Sequence, residues 1–271
     1  MRQPLPVLLI ATALLGPGGR GAAADKPSAP PAAQASSTAI SSPLPIGIEA
    51  DVYCTGWIGD FSDTFPASIF SAERVDSKQG FLEGDIVYVS AGARQGFASG
   101  QEFWIVRPAR TVYRWGSVLD ALGRVYLTPG RLRILCTQDD SAIAEIVLSC
   151  SDVNIGDALL PFEPIPVPLV RRTAPLSSCD PSTGKVSGHI VDDVDHVTAI
   201  AKNSVVYLDL GEEDGVMSGD FFSVYRNPSG EFPVRTMLGE ASILTTRKKT
   251  SVAIITSMRD TMYIGDRVEM K

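Results

Sequence analysis

Apolar residues in this chain fall in short runs rich in Val, Ile, Tyr and Phe, separated by glycines and polar turn residues. That period and chemistry predict strands. The pattern is also written twice. Asp85 to Arg107 reads DIVYVSAGARQGFASGQEFWIVR, and 119 positions later Ser204 to Arg226 reads SVVYLDLGEEDGVMSGDFFSVYR. One constant shift superposes Val87-Tyr88 on Val206-Tyr207, Gly92 on Gly211, Gly96 on Gly215, Ser99-Gly100 on Ser218-Gly219, Phe103 on Phe222 and Arg107 on Arg226. Eight identities in 23 positions, three of them glycines, mark a duplication. With gaps, the match continues through Leu122-Gly123 and Leu238-Gly239, Ala144 and Ala253, and Ile155-Gly156-Asp157 and Ile264-Gly265-Asp266. The repeats therefore run from about Pro66 to Phe162 and from about Lys185 to Lys271.

Both repeats predict the same series of elements. DIVYVS and SVVYLDL suit a pleated, half-buried surface. The first two matched glycines of each repeat give the backbone freedom of a tight connection, and the Ser-Gly marks the turn into the next strand. That strand opens at Phe103 or Phe222 and is followed by a variable surface loop, Pro108 to Ala121 or Asn227 to Met237. Each Leu-Gly then leads into a hairpin through TQDDS (137–141) or TRKKT (246–250), whose second arm is AIAEIVLS or SVAIITS. Ile-Gly-Asp turns into a last short strand, ALLPF or RVEM. No convincing helical period appears. The expected fold is all-β, a tandem of two related small β-barrels of five to six strands each, because closure removes exposed strand edges. The first barrel, with a leading strand in DVYCTGWIG, is expected over 46–163 and the second over 185–271. A stiff Pro-rich linker, 164–184, joins them.

The head of the chain changes the picture of where this fold works. Residues 1–24 carry Arg2, an apolar stretch from Leu5 to Leu15 and the small residues Ala22-Ala23-Ala24, the layout of a cleaved secretory signal. That stretch is shorter than the roughly 20 residues a membrane span needs. Residues 25–45, DKPSAPPAAQASSTAISSPLP, are mostly Pro, Ala and Ser and read as a disordered tether. No later segment is long and apolar enough to span, so the mature chain is expected to have no membrane span, with a periplasmic or otherwise exported location. The chain carries net charge −7; without Arg2 and Arg20, 22 Lys+Arg stand against 31 Asp+Glu, net −9. An acidic chain argues against nucleic acid as a partner. The basic runs Arg171-Arg172 and Arg247-Lys248-Lys249 read as solvated loops.

Four cysteines in an exported chain suggest two disulfides, with no CxxC pair to indicate zinc. Of three connectivities, Cys54 with Cys150 and Cys136 with Cys179 is favoured, since Cys54 lies in a strand-like stretch that needs a neighbour. Four buried free thiols is the alternative.

The second repeat, VVYLDLGEEDGVMSGDFFSVYR followed by LGEASIL, TSVAIITS and YIGDRVEM, resembles the C-terminal domain of the flagellar assembly protein T family. It is also similar to domains of exported proteins that carry a LysM module. The shared pattern is an aliphatic-Tyr-aliphatic strand, a Gly-x-x-x-Gly turn, Gly-Asp before the next strand and a closing Gly-Asp. The first repeat departs from it, with Gln101 where the second has Asp220. The resemblance implies a small periplasmic β-barrel with a structural or assembly role. It does not imply flagella, and no LysM sequence is visible.

The residues hold no catalytic signature: no GxSxG, Walker loop, dinucleotide fingerprint or Cys-His pair. The two histidines, His189 and His196, lie in GHIVDDVDHV with Asp192, Asp193 and Asp195, a composition that suits a metal. The aligned segment of the first repeat has no His, and the reading is that no metal is bound there. Glu212 to Asp214 lacks the spacing of a calcium loop. No cofactor is expected. Trp104 reads as core, whereas Tyr113, Arg114 and Trp115 lie in the longer variable loop and form the candidate contact surface, since an exposed aromatic beside Arg can anchor a partner. The alternative is that this loop folds onto its own barrel. The expected function is an exported, non-catalytic scaffold or protein-interaction module of the cell envelope, with envelope proteins as partners. The alternative is a peptidoglycan-binding protein.

Overall fold

The computed structural model describes residues 42–73, 75–170, 177–227 and 234–271. The expected signal, most of the tether, Arg171-Arg172 and the middle of the loop 227–237 lie outside the described residues. In chain order the elements are β1 (Leu44–Pro45), α1 (Glu49–Tyr53), β2 (Trp57–Gly59), β3 (Ala67–Ala72), β4 (Ile86–Val89), β5 (Glu102–Tyr113), β6 (Ala121–Thr137), β7 (Ala142–Ser149) and β8 (Ala158–Pro161). There follow β9 (Leu169–Val170), β10 (Ser187–Asp193), β11 (Val205–Leu208), β12 (Phe221–Arg226), β13 (Thr236–Thr246), β14 (Ser251–Met258) and β15 (Arg267–Met270).

The fold is nearly all-β and contains two closed six-stranded barrels. The first runs β3-β4-β7-β6-β5-β8 and closes on β3; the second runs β10-β11-β14-β13-β12-β15 and closes on β10. Strand for strand the two orders are the same, and all pairs are antiparallel. Each barrel fills its interior with alternate side chains: Ile69, Val87, Ile105, Leu132 and Leu159 in one, Ile190, Val206, Val224, Ile243 and Val268 in the other. Burying each such side chain is worth roughly 1.5–3 kcal/mol, so the interiors dominate stability.

The matched turns hold for matched reasons. A one-turn 3₁₀ segment after β4 and after β11 ends at Gly96 (φ 83°) and Gly215 (φ 79°), a left-handed geometry that side chains resist. Gln95 Oε1 accepts from Gly92 N–H at 2.9 Å, and Asp214 Oδ2 accepts from Gly211 N–H at 2.9 Å. Gln101, the departure from the second repeat, accepts from Ala98 N–H at 3.0 Å as Asp220 accepts from Met217 N–H at 2.8 Å. An uncharged amide thus performs the same turn-closing task.

Two expectations are corrected. DVYCTGWIG is not one strand. Asp51 Oδ2 accepts from Ile48 N–H at 2.8 Å and starts the single-turn helix α1; Gly56 (φ 65°) then redirects the chain into β2. Cys54 and Cys150 are joined, but Cys136 and Cys179 are free, exposed thiols. Cys136 lies near the end of β6 on the outside of the first barrel. Cys179 follows Ser178, whose hydroxyl bonds Arg259 of the second barrel at 2.7 Å, so the two thiols belong to different barrels.

Candidate functional site

Between the barrels lies a third apolar core. Val112 and Val125 of the first barrel, Val52 and Ile58 of the leading segment, and Val191, Val205, Tyr207, Leu244, Val252 and Ile254 of the second barrel form one buried cluster. Strands of the second barrel are therefore covered on both faces, which explains why SVVYL and SVAII run apolar instead of alternating. The leading segment is the wedge. β2 pairs with β6 through Trp57 and Tyr126, Ile58 and Val125, and Gly59 and Arg124. On its other side Tyr207 Oη–H donates to Thr55 O, and Thr250 Oγ1–H donates to Ile58 O at 3.2 Å. Burial raises the Tyr207 phenol pKa far above the ordinary value, so this donor stays protonated.

The candidate contact residues Tyr113, Arg114 and Trp115 sit at the tip of the β5–β6 hairpin, which reaches across the seam. Arg114 Nε donates to Asp120 at 3.0 Å and its Nη1 to buried Asp209 of the second barrel at 3.4 Å. Trp115 lies against Gly265, where an added Cβ would be only 2.3 Å from the indole ring. The loop thus folds neither free nor onto its own barrel; it clasps the other one. Beyond the clasp, Val118 and Leu119 stand 82% and 92% exposed. Ser117 Oγ holds this tip by accepting from Leu119 N–H at 3.2 Å and Asp120 N–H at 3.0 Å. The sequence reading missed both residues, although two adjacent large apolar side chains in a turn were a visible signal.

His189, Asp192 and Asp193 lie on β10, with Asp195 and His196 in the turn beyond it. Asp192, Asp193 and His196 bring one ligand atom each within 4.8 Å of one another. The counter-charge is already supplied from the first barrel: Arg110 Nε donates to Asp192 Oδ2 at 2.5 Å and its Nη2 to Asp193 O at 2.6 Å. His189 lies apart from this group, beside Asp209 at 3.6 Å. The cluster works as part of the seam, tying β5 to β10.

Burial raises the Asp193 carboxyl pKa, with Asp192 and Asp195 adding to the shift while the Val197 N–H and Arg110 oppose it. A raised acid pKa means that the folded state binds the proton more tightly than the unfolded state. Stability then falls as pH rises from the ordinary value of 3.8 through the folded value, and the deficit persists at neutral pH. Asp193→Asn keeps an oxygen for Val197 N–H and is expected to raise the melting temperature at neutral pH, the gain disappearing as pH falls toward 4. Paired thermal melts at the two pH values check this.

A cavity of about 500 Å³ also opens at the seam. Tyr53 and Trp57 of the leading segment, Trp104 and Leu160 of the first barrel, and Thr245 and Arg247 of the second line it. Trp104, read as core from the sequence, is buried beneath Tyr53 and Phe162, outside the barrel interior. Fold and seam together define a duplicated small-barrel protein whose halves are fused through an apolar interface. Comparison with known proteins finds no family model that matches the chain and no curated protein that matches it.

Proposed function

We propose that this protein is an exported, non-catalytic scaffold of the bacterial cell envelope that binds another envelope protein. The observation that carries this reading is the anchored hairpin tip, where Val118 and Leu119 face solvent on a loop clasped to the second barrel by Arg114 and Trp115. Ordering such a loop in advance lowers the entropy cost of binding, and exposed apolar side chains on a fixed base are what a protein partner covers. The Cys54–Cys150 disulfide and the signal-like residues 1–24 support export. Among the described residues no helix is long and apolar enough to cross a membrane. The resemblance of the second repeat to the flagellar assembly protein T family supports an assembly role.

Crosslinking in the native envelope followed by mass spectrometry tests the reading. One or more envelope proteins should be recovered with the wild type, and recovery should fall when Val118 and Leu119 are both changed to Ser. Recovery of none, or equal recovery with the double variant, would count against it. Sedimentation with purified cell-wall sacculi would instead favour the peptidoglycan alternative.

A further inference from the structure

We propose that the seam cavity is a recognition pocket for a peptide that presents an apolar side chain next to a carboxylate, with Arg247 as the carboxylate ligand. This deepens the interaction-module reading and rests on it. Arg247 sits in the β13–β14 turn with its guanidinium 4.8 Å from the centre of the Trp57 ring. Among the described residues its side chain makes no ion pair and no hydrogen bond. The side chain stays exposed at the cavity rim; partial desolvation by its neighbours lowers its pKa, while the charges of Asp63 and Glu212 act in the opposite direction. A guanidinium fixed against a ring and lacking its own carboxylate is preorganised to take one from a ligand. Lys248 and Lys249 follow it in the turn, a local exception in a chain of net charge −7.

The rest of the lining selects the class of ligand. A volume of about 500 Å³ suits one or two residues of a peptide. Tyr53, Trp104 and Leu160 offer apolar walls, and Thr128 and Thr245 offer hydroxyls. Glu163 also lines the cavity and makes no ion pair among the described residues, so its carboxylate is available to accept a peptide N–H. A sugar would need an open aromatic face to stack on. Trp57 has Arg247 over its ring at 4.8 Å and packs against Tyr126 at 5.7 Å, and Trp104 is packed by Tyr53 at 5.1 Å and Phe162 at 4.7 Å. These contacts favour a peptide over a glycan.

The test uses the mature chain and four small probes: N-acetyl-leucine, N-acetyl-leucinamide, N-acetylglucosamine and inorganic phosphate. NMR titration at millimolar concentration should show N-acetyl-leucine shifting the indole N–H signals of Trp57 and Trp104. The amide should bind about tenfold more weakly, as expected for loss of one charge-assisted contact. Arg247→Gln should abolish that preference, while Lys248→Gln, a neighbour that does not line this cavity, should keep it. Unchanged dispersion in the variants' spectra shows that they fold. No indole shift with N-acetyl-leucine, equal response to the amide, or tighter binding of the sugar or of phosphate would overturn the proposal. Each of those results leaves the hairpin-tip reading to its own crosslinking test, which does not involve Arg247.

Discussion

Changing Cys54 and Cys150 to Ser is expected to lower the unfolding free energy by about 4 kcal/mol. The bridge closes a loop with a sequence separation of 96, and cross-linking restricts the unfolded chain more as that loop lengthens. It also pins the leading segment to the end of β7, so its loss should release the wedge that fills the seam. Urea titration should show the midpoint falling, and hydrogen exchange should show Trp57–Gly59 losing protection before the barrel strands. Unchanged protection of β2 would mean that the seam holds the wedge without the bridge.

Arg107→Ala is expected to cost about 3 kcal/mol, because it strands a buried carboxylate. Asp157, 3% exposed, accepts from Arg107 Nε and Nη2, both at 2.7 Å. It also accepts from Asn154 N–H at 2.7 Å. The second barrel repeats the arrangement: Asp266 accepts from Arg226 Nε at 2.6 Å and Nη2 at 2.7 Å, and from Tyr263 N–H at 2.7 Å. Arg226→Ala should therefore cost a similar amount, somewhat less because Arg226 is 37% exposed against 29% for Arg107. Arg107→Lys should fall between wild type and Arg107→Ala, since an ammonium cannot bond both oxygens in the same plane. A loss below about 1 kcal/mol for both Ala variants would show that these pairs behave as surface ion pairs.

The same residues show how much was legible beforehand. Arg107 matching Arg226, and Asp157 matching Asp266, stood out separately in the repeat; the structure joins each pair across the barrel end. Turn glycines and β-branched runs follow from local backbone chemistry, so the two barrels could be anticipated, though not the order of strands around them. The seam could not be read in the same way. It depends on which outer face each barrel covers, and that sets repeat two apart from repeat one: Tyr207 is fully buried and bonded to Thr55, whereas its counterpart Tyr88 is half-buried near Phe70. The extra length of the first variable loop signalled a special role, but not that Arg114 and Trp115 would be spent on clasping the second barrel. Pairing Cys136 with Cys179 failed because even cysteine number carries no information on which barrel each thiol occupies.

The apolar seam and its Arg110 and Arg114 clasps lock the two barrels into one body. The most direct measurement is the distance distribution between two spin labels, one on native Cys136 and one on Lys202→Cys of the second barrel in a Cys179→Ser background, by double electron–electron resonance. A single narrow distribution is expected, broadening when Arg110 and Arg114 are both changed to Ala. A broad or multiple distribution in the otherwise unaltered protein would contradict the account.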